Sequence, residues 1–405
     1  MITKSIKKLG RSLIYLAKTP ITAKIESLKD LKGLPLDDPG PSRSIDEALI
    51  WLGRAQDNSI TKDGGVANHY SFLRGWGASY PETTGYIIPT IIKHAKERSN
   101  GTLMDRAERM LNWLVSIQFS EGGFQAGTID AKPAIPCTFN TGQILLGLTE
   151  GVRTFGNRYR EPMRKAADWL VETQDNDGCW RKFPTPYAAP GEKSYETHVA
   201  WGLLEAAEVD NNERYFSSAL MNVNWAIRHQ NDNGWFDKCC LTEPLRPLTH
   251  TLGYVFRGLL EAYMHSKDKK FFSACKNLAD GLIKPLRDDG FLPGRLISNW
   301  EGSVSWACLT GSVQVAYCWF SMYKLTGKEK YLRAASSVNK FVRRTQKTSG
   351  PEETRGGIKG SFPIFGDYGK FQFLNWAAKF FIDSNSIEIE INDERSKSLL
   401  NKNFL

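Results

Sequence analysis

No stretch of the 405-residue chain is long and apolar enough to cross a bilayer. The longest candidate for a secretory core, "LIYLA", is too short for a signal peptide. The seven cysteines are odd in number and follow no disulfide framework. None forms a CxxC, and no Cys/His grouping has zinc spacing, so free thiols in a reducing compartment are expected, with no metal and no cofactor. This points to a cytoplasmic protein, or one peripheral at the inner face of the membrane. Excess charge is scarce over most of the chain: of the net +9, +6 falls within residues 1–29, which leaves nucleic acid poorly supported as a partner.

The basic segment has a pattern of its own. Ile2, Ile6, Leu9, Leu13 and Leu16 recur at steps of four and three among seven Lys/Arg, so residues 1–40 read as a basic amphipathic arm. Such an arm either docks its apolar side onto the protein body or lies on an anionic membrane surface, where a glycosyltransferase complex could also be met.

Aromatic residues are plentiful, at 12% of the chain with 12 Trp. Several mark an internal repeat. "WLGRAQ" (Trp51–Gln56), "WLVSIQ" (Trp113–Gln118), "WLVETQ" (Trp169–Gln174), "WAIRHQ" (Trp225–Gln230) and "FVRRTQ" (Phe341–Gln346) share one frame, and "GLIKPL" (Gly281–Leu286) fills the gap. A Gly-containing turn follows most of them: "DGGV", "EGGF", "DNDGCW", "NDNGW", "DDGF". Each turn leads to a second helix that is apolar nearly all round, expected over Glu82–Ala95, Phe139–Phe155, Tyr195–Glu208, His250–His265, Trp306–Leu325 and Phe371–Phe381. Six hairpins of one amphipathic and one buried helix predict an all-α (α/α)6 toroid, a single domain over residues 41–383, followed by a polar tail over 384–405.

In such a ring the polar groups gather where the inner helices begin. Aligned on Gly85, Gly142, Thr197, Gly253 and Gly311, the position three residues earlier holds Glu82, Phe139, Ser194, His250 and Cys308. Helix N-termini favour anions, so an acidic sugar would be welcome there. Glu82 with His250 and His198 supplies material for general acid–base chemistry, and Glu82 with Glu196 would form a hydrolase pair. Arg74, Trp76, Tyr80, Asn140, Tyr195, Arg295, Trp300 and Trp306 are the candidates for positioning substrate. Plainer readings stand beside these. Ser79-x-x-Glu82 has the form of a capping box, each histidine could be a satisfied core imidazole, and the tryptophans could be packing.

The turn "QDNDGCW" (Gln174–Trp180) resembles the QW repeat of triterpene cyclases. Those enzymes protonate a polyene with an Asp-rich motif, which this chain lacks; Asp288-Asp289 is the nearest run. Over nearly its whole length the chain resembles the VpsJ-like proteins of exopolysaccharide loci, on the strength of "SYPETTGYIIPT", "DGCW" followed by "ETHVAWGLLEA", and "NWEGSVSWACLTGSVQVAYCW". That resemblance implies a bacterial role in making or modifying a surface polysaccharide. Similar toroids among sugar enzymes include hydrolases with paired acids, two-histidine 2-epimerases, and lyases using Asn, His and Tyr. His198, His250, Asn140 and Tyr195 are the residue types of the last two, without either motif. The expectation is therefore a carbohydrate-active protein acting on a glycan or lipid-linked oligosaccharide as lyase, epimerase or hydrolase. The alternatives are a non-catalytic glycan-binding scaffold and an isoprenoid-binding, cyclase-like protein.

Overall fold

The computed structural model describes residues 20–402. The apolar stripe expected over Ile2–Leu16 lies outside them.

A short helix α1 (Ile21–Leu31) precedes the ring. The outer helices are α2 (Pro41–Asp57), α4 (Gly101–Ile117), α6 (Arg160–Thr173), α8 (Glu213–Ile227), α10 (Lys269–Ile283) and α12 (Glu329–Arg343). The inner helices are α3 (Pro81–Glu97), α5 (Thr138–Phe155), α7 (Thr197–Asp210), α9 (Thr249–Ser266), α11 (Leu309–Thr326) and α13 (Asn375–Lys402). Each inner helix packs on its neighbours and α13 returns to α2 and α3, which closes an (α/α)6 toroid.

The repeat has a physical basis. The amide of each frame glutamine donates twice, once to the glycine carbonyl of its own turn and once to a carbonyl of the next outer helix. Gln118 reaches Gly122 at 2.9 Å and Pro162 at 3.0 Å; Gln174 reaches Gly178 and Ser218, both at 3.0 Å. Gln56 and Gln230 do the same with Gly64 and Arg106, and with Gly234 and Ala274. The turn glycines 64, 122, 178, 234, 290 and 356 all have φ between 84° and 105°, a left-handed conformation that disfavours a side chain. At five of them a Cβ would also stand 2.0–2.4 Å from a carbonyl of the next outer helix. Leu286 breaks the glutamine pattern, but Gly290 keeps the turn.

Glycine also sets the spacing of the inner ring. A Cβ on Gly147 would lie 2.3 Å from the Gly85 carbonyl, and one on Gly202 2.4 Å from that of Gly142. Adjacent inner helices thus touch backbone to backbone.

The seam between first and last repeats is sewn by a small antiparallel sheet. In it β1 (His69–Ser71) pairs with β2 (Gly75–Trp76) and also with β5 (Gln372–Leu374), Tyr70 standing opposite both Trp76 and Phe373. A second pair joins β3 (Ala307–Cys308) to β4 (Ser361–Phe362).

One expected boundary shifts. Ser384 does not begin a peripheral tail: it falls inside α13, and Ser384 and Asn385 are fully buried. The reason is the outer helix α12, whose buried Asn339 donates to the Ser384 carbonyl while Arg343 donates to Asn385 Oδ1 and Glu388. Three of the polar residues read as a tail, Ser384, Asn385 and Glu388, are the partners of those two side chains. Helix α1, which follows the expected apolar stripe, docks by its polar side. Lys359, 2% exposed, bridges Glu26 and Asp30 at 2.8 and 2.6 Å, and Lys347 adds a contact to Glu26 at 2.9 Å.

All seven cysteines are buried and free. No helix among the described residues is long and apolar enough to cross a membrane.

Candidate active site

At the N-terminal ends of the inner helices a pit of about 700 Å³, counted out to its open mouth, enters the ring. Glu82, Thr83 and Tyr86 of α3, Phe139 of α5, and His250, Thr251 and Tyr254 of α9 form its wall and floor. Tyr195 and Tyr368 complete the wall with Tyr80 and Trp376, and Thr185, Tyr187 and Leu241 come from the loops at the mouth.

Glu82 does not cap its helix. The Ser79 amide donates to Thr61 Oγ1 and the Ser79 hydroxyl to Asp63 Oδ1, so Ser79 is already occupied and no capping hydrogen bond forms. Glu82 is instead hydrogen-bonded by the Tyr80 phenol. Burial among aromatic rings still dominates and raises its pKa to about 7. The group is thus poised to hold or release a proton near neutrality.

His250 is in the opposite state. Burial lowers its pKa to about 4, so the ring is neutral at physiological pH. Its Nδ1 donates to Gln314 Oε1 at 2.6 Å, which leaves Nε2 as the basic nitrogen. The Tyr195 hydroxyl is buried without a hydrogen-bond partner among the described residues, as expected of a group awaiting a ligand.

The other expected site residues are distributed differently. His198 lines a smaller neighbouring cavity with Arg257 and Asp383, separated from His250 by Tyr254, whose ring stands 4.4 Å from one imidazole and 4.5 Å from the other. Glu196 is buried and its pKa is raised to about 8 by that burial, but it does not line the pit. Asn140 is spent on the Gln125 carbonyl at 2.9 Å. Arg295 donates to the Arg246 carbonyl and Thr242 and faces Glu243. Trp300 is buried and donates to the Asn233 carbonyl. Trp76 packs on Trp51 and Tyr70, Trp306 covers Gly294 and Gly366, and Arg74 is exposed. The hydrogen-bonding groups of Arg295 and Trp300 are thus used between loops and do not reach the pit.

Seven lining residues escaped the sequence reading: Thr185, Tyr187 and Leu241 at the mouth, and Tyr86, Tyr254, Tyr368 and Trp376. Two of them carried a signal, since Tyr86 follows Glu82 by four positions and Tyr254 follows His250 by four, which places each pair on one helix face. Among the described residues neither Lys nor Arg lines the pit, so the expected welcome for an acidic sugar would rest on the helix N-termini alone.

At the far ends of α7 and α9, Glu205, Glu208 and His265 bring three ligand atoms within 4.8 Å of one another. Arg153 already pairs with Glu205 at 2.6 Å and Glu208 at 3.1 Å, and hydrogen bonding to Glu205 raises the pKa of His265. The group is a satisfied ion-pair network.

No protein family model matches the chain. A squalene–hopene cyclase of Bradyrhizobium diazoefficiens is 34% identical over 92 residues, which is 20% of this chain and 13% of the cyclase. The chain thus spans about an eighth of the length of that relative. Among solved structures, an unsaturated glucuronyl hydrolase specific for heparin superposes with TM-score 0.70 at 16% identity, covering 87% of this chain and 98% of its own. Cellobiose 2-epimerase from Bacillus thermoamylovorans does so with TM-score 0.65 at 12% identity, covering 89% and 98%. A D-mannose isomerase reaches 0.68 at 12% identity, covering 87% and 97%. At these identities the likeness establishes the fold, an (α/α)6 toroid that glycan-acting enzymes also use.

Proposed function

We propose that the pit binds an uncharged sugar unit of a glycan and moves a proton on it, with Glu82 as the acid and His250 as the base. One observation carries this reading: Glu82 and His250 share a single aromatic-walled pit with opposite protonation tendencies. An acid with pKa near 7 delivers a proton at neutral pH, and a neutral imidazole accepts one. Tyr86, Tyr254 and Trp376 offer flat apolar faces on which a pyranose ring can stack.

Lyase chemistry on a uronate is less well supported, because no cation among the described residues lines the pit to neutralise the substrate carboxylate. A two-carboxylate hydrolase is likewise disfavoured, since Glu196 stands outside. Epimerisation or isomerisation remains, and two structures of the same fold are named for such reactions. The resemblance to VpsJ-like proteins suggests a setting in the assembly or remodelling of a bacterial surface polysaccharide. The local likeness to squalene–hopene cyclase and the aromatic wall favour an isoprenoid ligand as the second reading. Against cyclisation, a carboxyl with pKa near 7 is too weak an acid to protonate an alkene.

The test is incubation of the protein with neutral oligosaccharides in D2O, followed by NMR. Deuterium should enter a ring or carbonyl-adjacent carbon, and both Glu82→Gln and His250→Ala should abolish its entry. Saturable sugar binding with no deuterium uptake and no new reducing ends would leave a binding protein and defeat the catalytic reading.

A further inference from the structure

Helix α1 is amphipathic in the reverse of the usual sense. Its buried face is Ala23, Glu26 and Asp30, held by Lys359 and Lys347. The opposite face carries Ile21, Ile25 and Leu28 at steps of four and three, with Leu31 beside them, and Leu36 follows in the loop; all five are exposed, Ile21 by 69% and Leu36 by 91%. Lys24 and Lys29 flank this stripe on its two sides, and Lys32 continues it. A soluble surface helix does not usually turn its apolar side outward while its acids are buried in ion pairs.

The position of α1 matters as much as its pattern. Asp30 accepts from the backbone N–H of Ile364 at 2.8 Å, in the same α12–α13 loop that sends Tyr368 into the pit wall. Helix α1 therefore sits at the mouth end of the toroid. The loops of that end expose further large apolar side chains: Leu73, Ile135, Leu245 (84% exposed) and Phe365, together with Tyr187 on the rim. The preceding 19 residues of sequence add five cations and no acid.

We propose that the face on which the pit opens rests on an anionic lipid bilayer, with α1 as its interfacial helix. Apolar side chains at this depth enter the boundary between headgroups and acyl chains, while lysines at the edges reach the phosphates. Each such lysine adds to the attraction near a negative surface, and salt screens that attraction. The pit then opens toward the membrane, which suits a glycan carried on a lipid. That last clause rests on the reading of the pit given above; attachment to lipid does not.

Flotation of the full chain with vesicles of phosphatidylcholine, alone or mixed with phosphatidylglycerol, tests the proposal without any sugar. The protein should float with the mixed vesicles, less so at high salt, and only weakly with phosphatidylcholine alone. The double change Ile25→Asp with Leu28→Asp should reduce the bound fraction roughly tenfold or more, and Leu245→Asp should reduce it as well. Both sites are exposed, so an unchanged melting curve confirms that the fold survives. Met221→Asp, an exposed apolar site on the outer helix α8, should leave binding intact. Three results would overturn the proposal: no flotation of the wild-type chain, equal flotation of the α1 variant, or light scattering that shows the stripe holding two copies together in place of lipid. Failure here with sugar chemistry intact would remove only the membrane placement, and the converse would remove only the chemistry.

Discussion

The side-chain amide of Gln346 donates to the carbonyl of Ser44 at 3.1 Å, joining residues 302 positions apart. This is the same clasp that the other frame glutamines make to the next outer helix, here closing the last outer helix onto the first. A second bond from the same amide holds Gly356 at 3.0 Å. Gln346→Leu would remove both bonds, the one to Gly356 and the second acceptor contact of the helical Ser44 carbonyl. A loss of about 1–3 kcal/mol is expected from urea unfolding, because a desolvated carbonyl that loses its partner costs that much. A loss below half a kilocalorie would mean that the seam is held by the β1–β5 pairing alone.

Glu82 should make stability depend on pH in an unusual direction. Its pKa rises on folding from an ordinary 4.5 to about 7, so the folded chain holds the proton that the unfolded chain gives up. Stability therefore falls as pH climbs through that window, by roughly 3 kcal/mol at most. Glu82→Gln removes this cost. The variant should match the wild type near pH 4.5 and exceed it at pH 8, as read from denaturant midpoints at the two pH values. Equal midpoints at pH 8 would show that Glu82 is ionised at no cost, and it would then be unable to serve as the acid.

His250 works on the acid side. Its pKa falls from 6.5 to about 4, so below pH 6.5 the unfolded chain takes up a proton before the folded one does. Stability is expected to drop between pH 6.5 and 4, again by roughly 3 kcal/mol at most. In His250→Gln that part of the acid limb should be absent. NMR titration of the imidazole provides a direct check: an inflection near 6.5 in the folded protein would contradict its burial.

The inner ring should not tolerate even one methyl group at its contacts. Gly147→Ala places a Cβ 2.3 Å from the Gly85 carbonyl, and backbone cannot yield as a flexible side chain can. A loss of about 3 kcal/mol or insoluble expression is expected. Gly101→Ala, at the start of α4 with nothing within 4 Å, should be neutral or slightly stabilising, since alanine favours helix. Comparable melting temperatures for the two variants would refute close backbone contact.

These relationships were legible to different degrees. The glutamine, the turn glycine and the apolar inner helices were visible as a repeat because each answers a recurring local demand: a clasp made five times, and a left-handed turn and a helix buried on every side made six times. The placement of Glu82 and His250 in one pit followed from the same register. Tyr86 and Tyr254 could have been found from their four-residue spacing. Tyr368 and Trp376 could not, because the last loop and the last inner helix depart from the repeat that located the others.

The sequence by itself determined the number of hairpins, which helix of each faces inward, and the ring end that carries the ionisable groups. Periodicity and glycine stereochemistry suffice for that. Only the tertiary structure decided which polar side chains remain uncommitted. Asn140 and Arg295 are consumed by nearby carbonyls, Ser79 is taken by Asp63 and Thr61, and the supposed tail is needed by Asn339 and Arg343. Glu82 and His250 keep their pit because burial, which acts through the whole ring of neighbours, sets their protonation. A hydrogen bond or a desolvation cost belongs to the assembled surroundings, and spacing along a chain does not encode it.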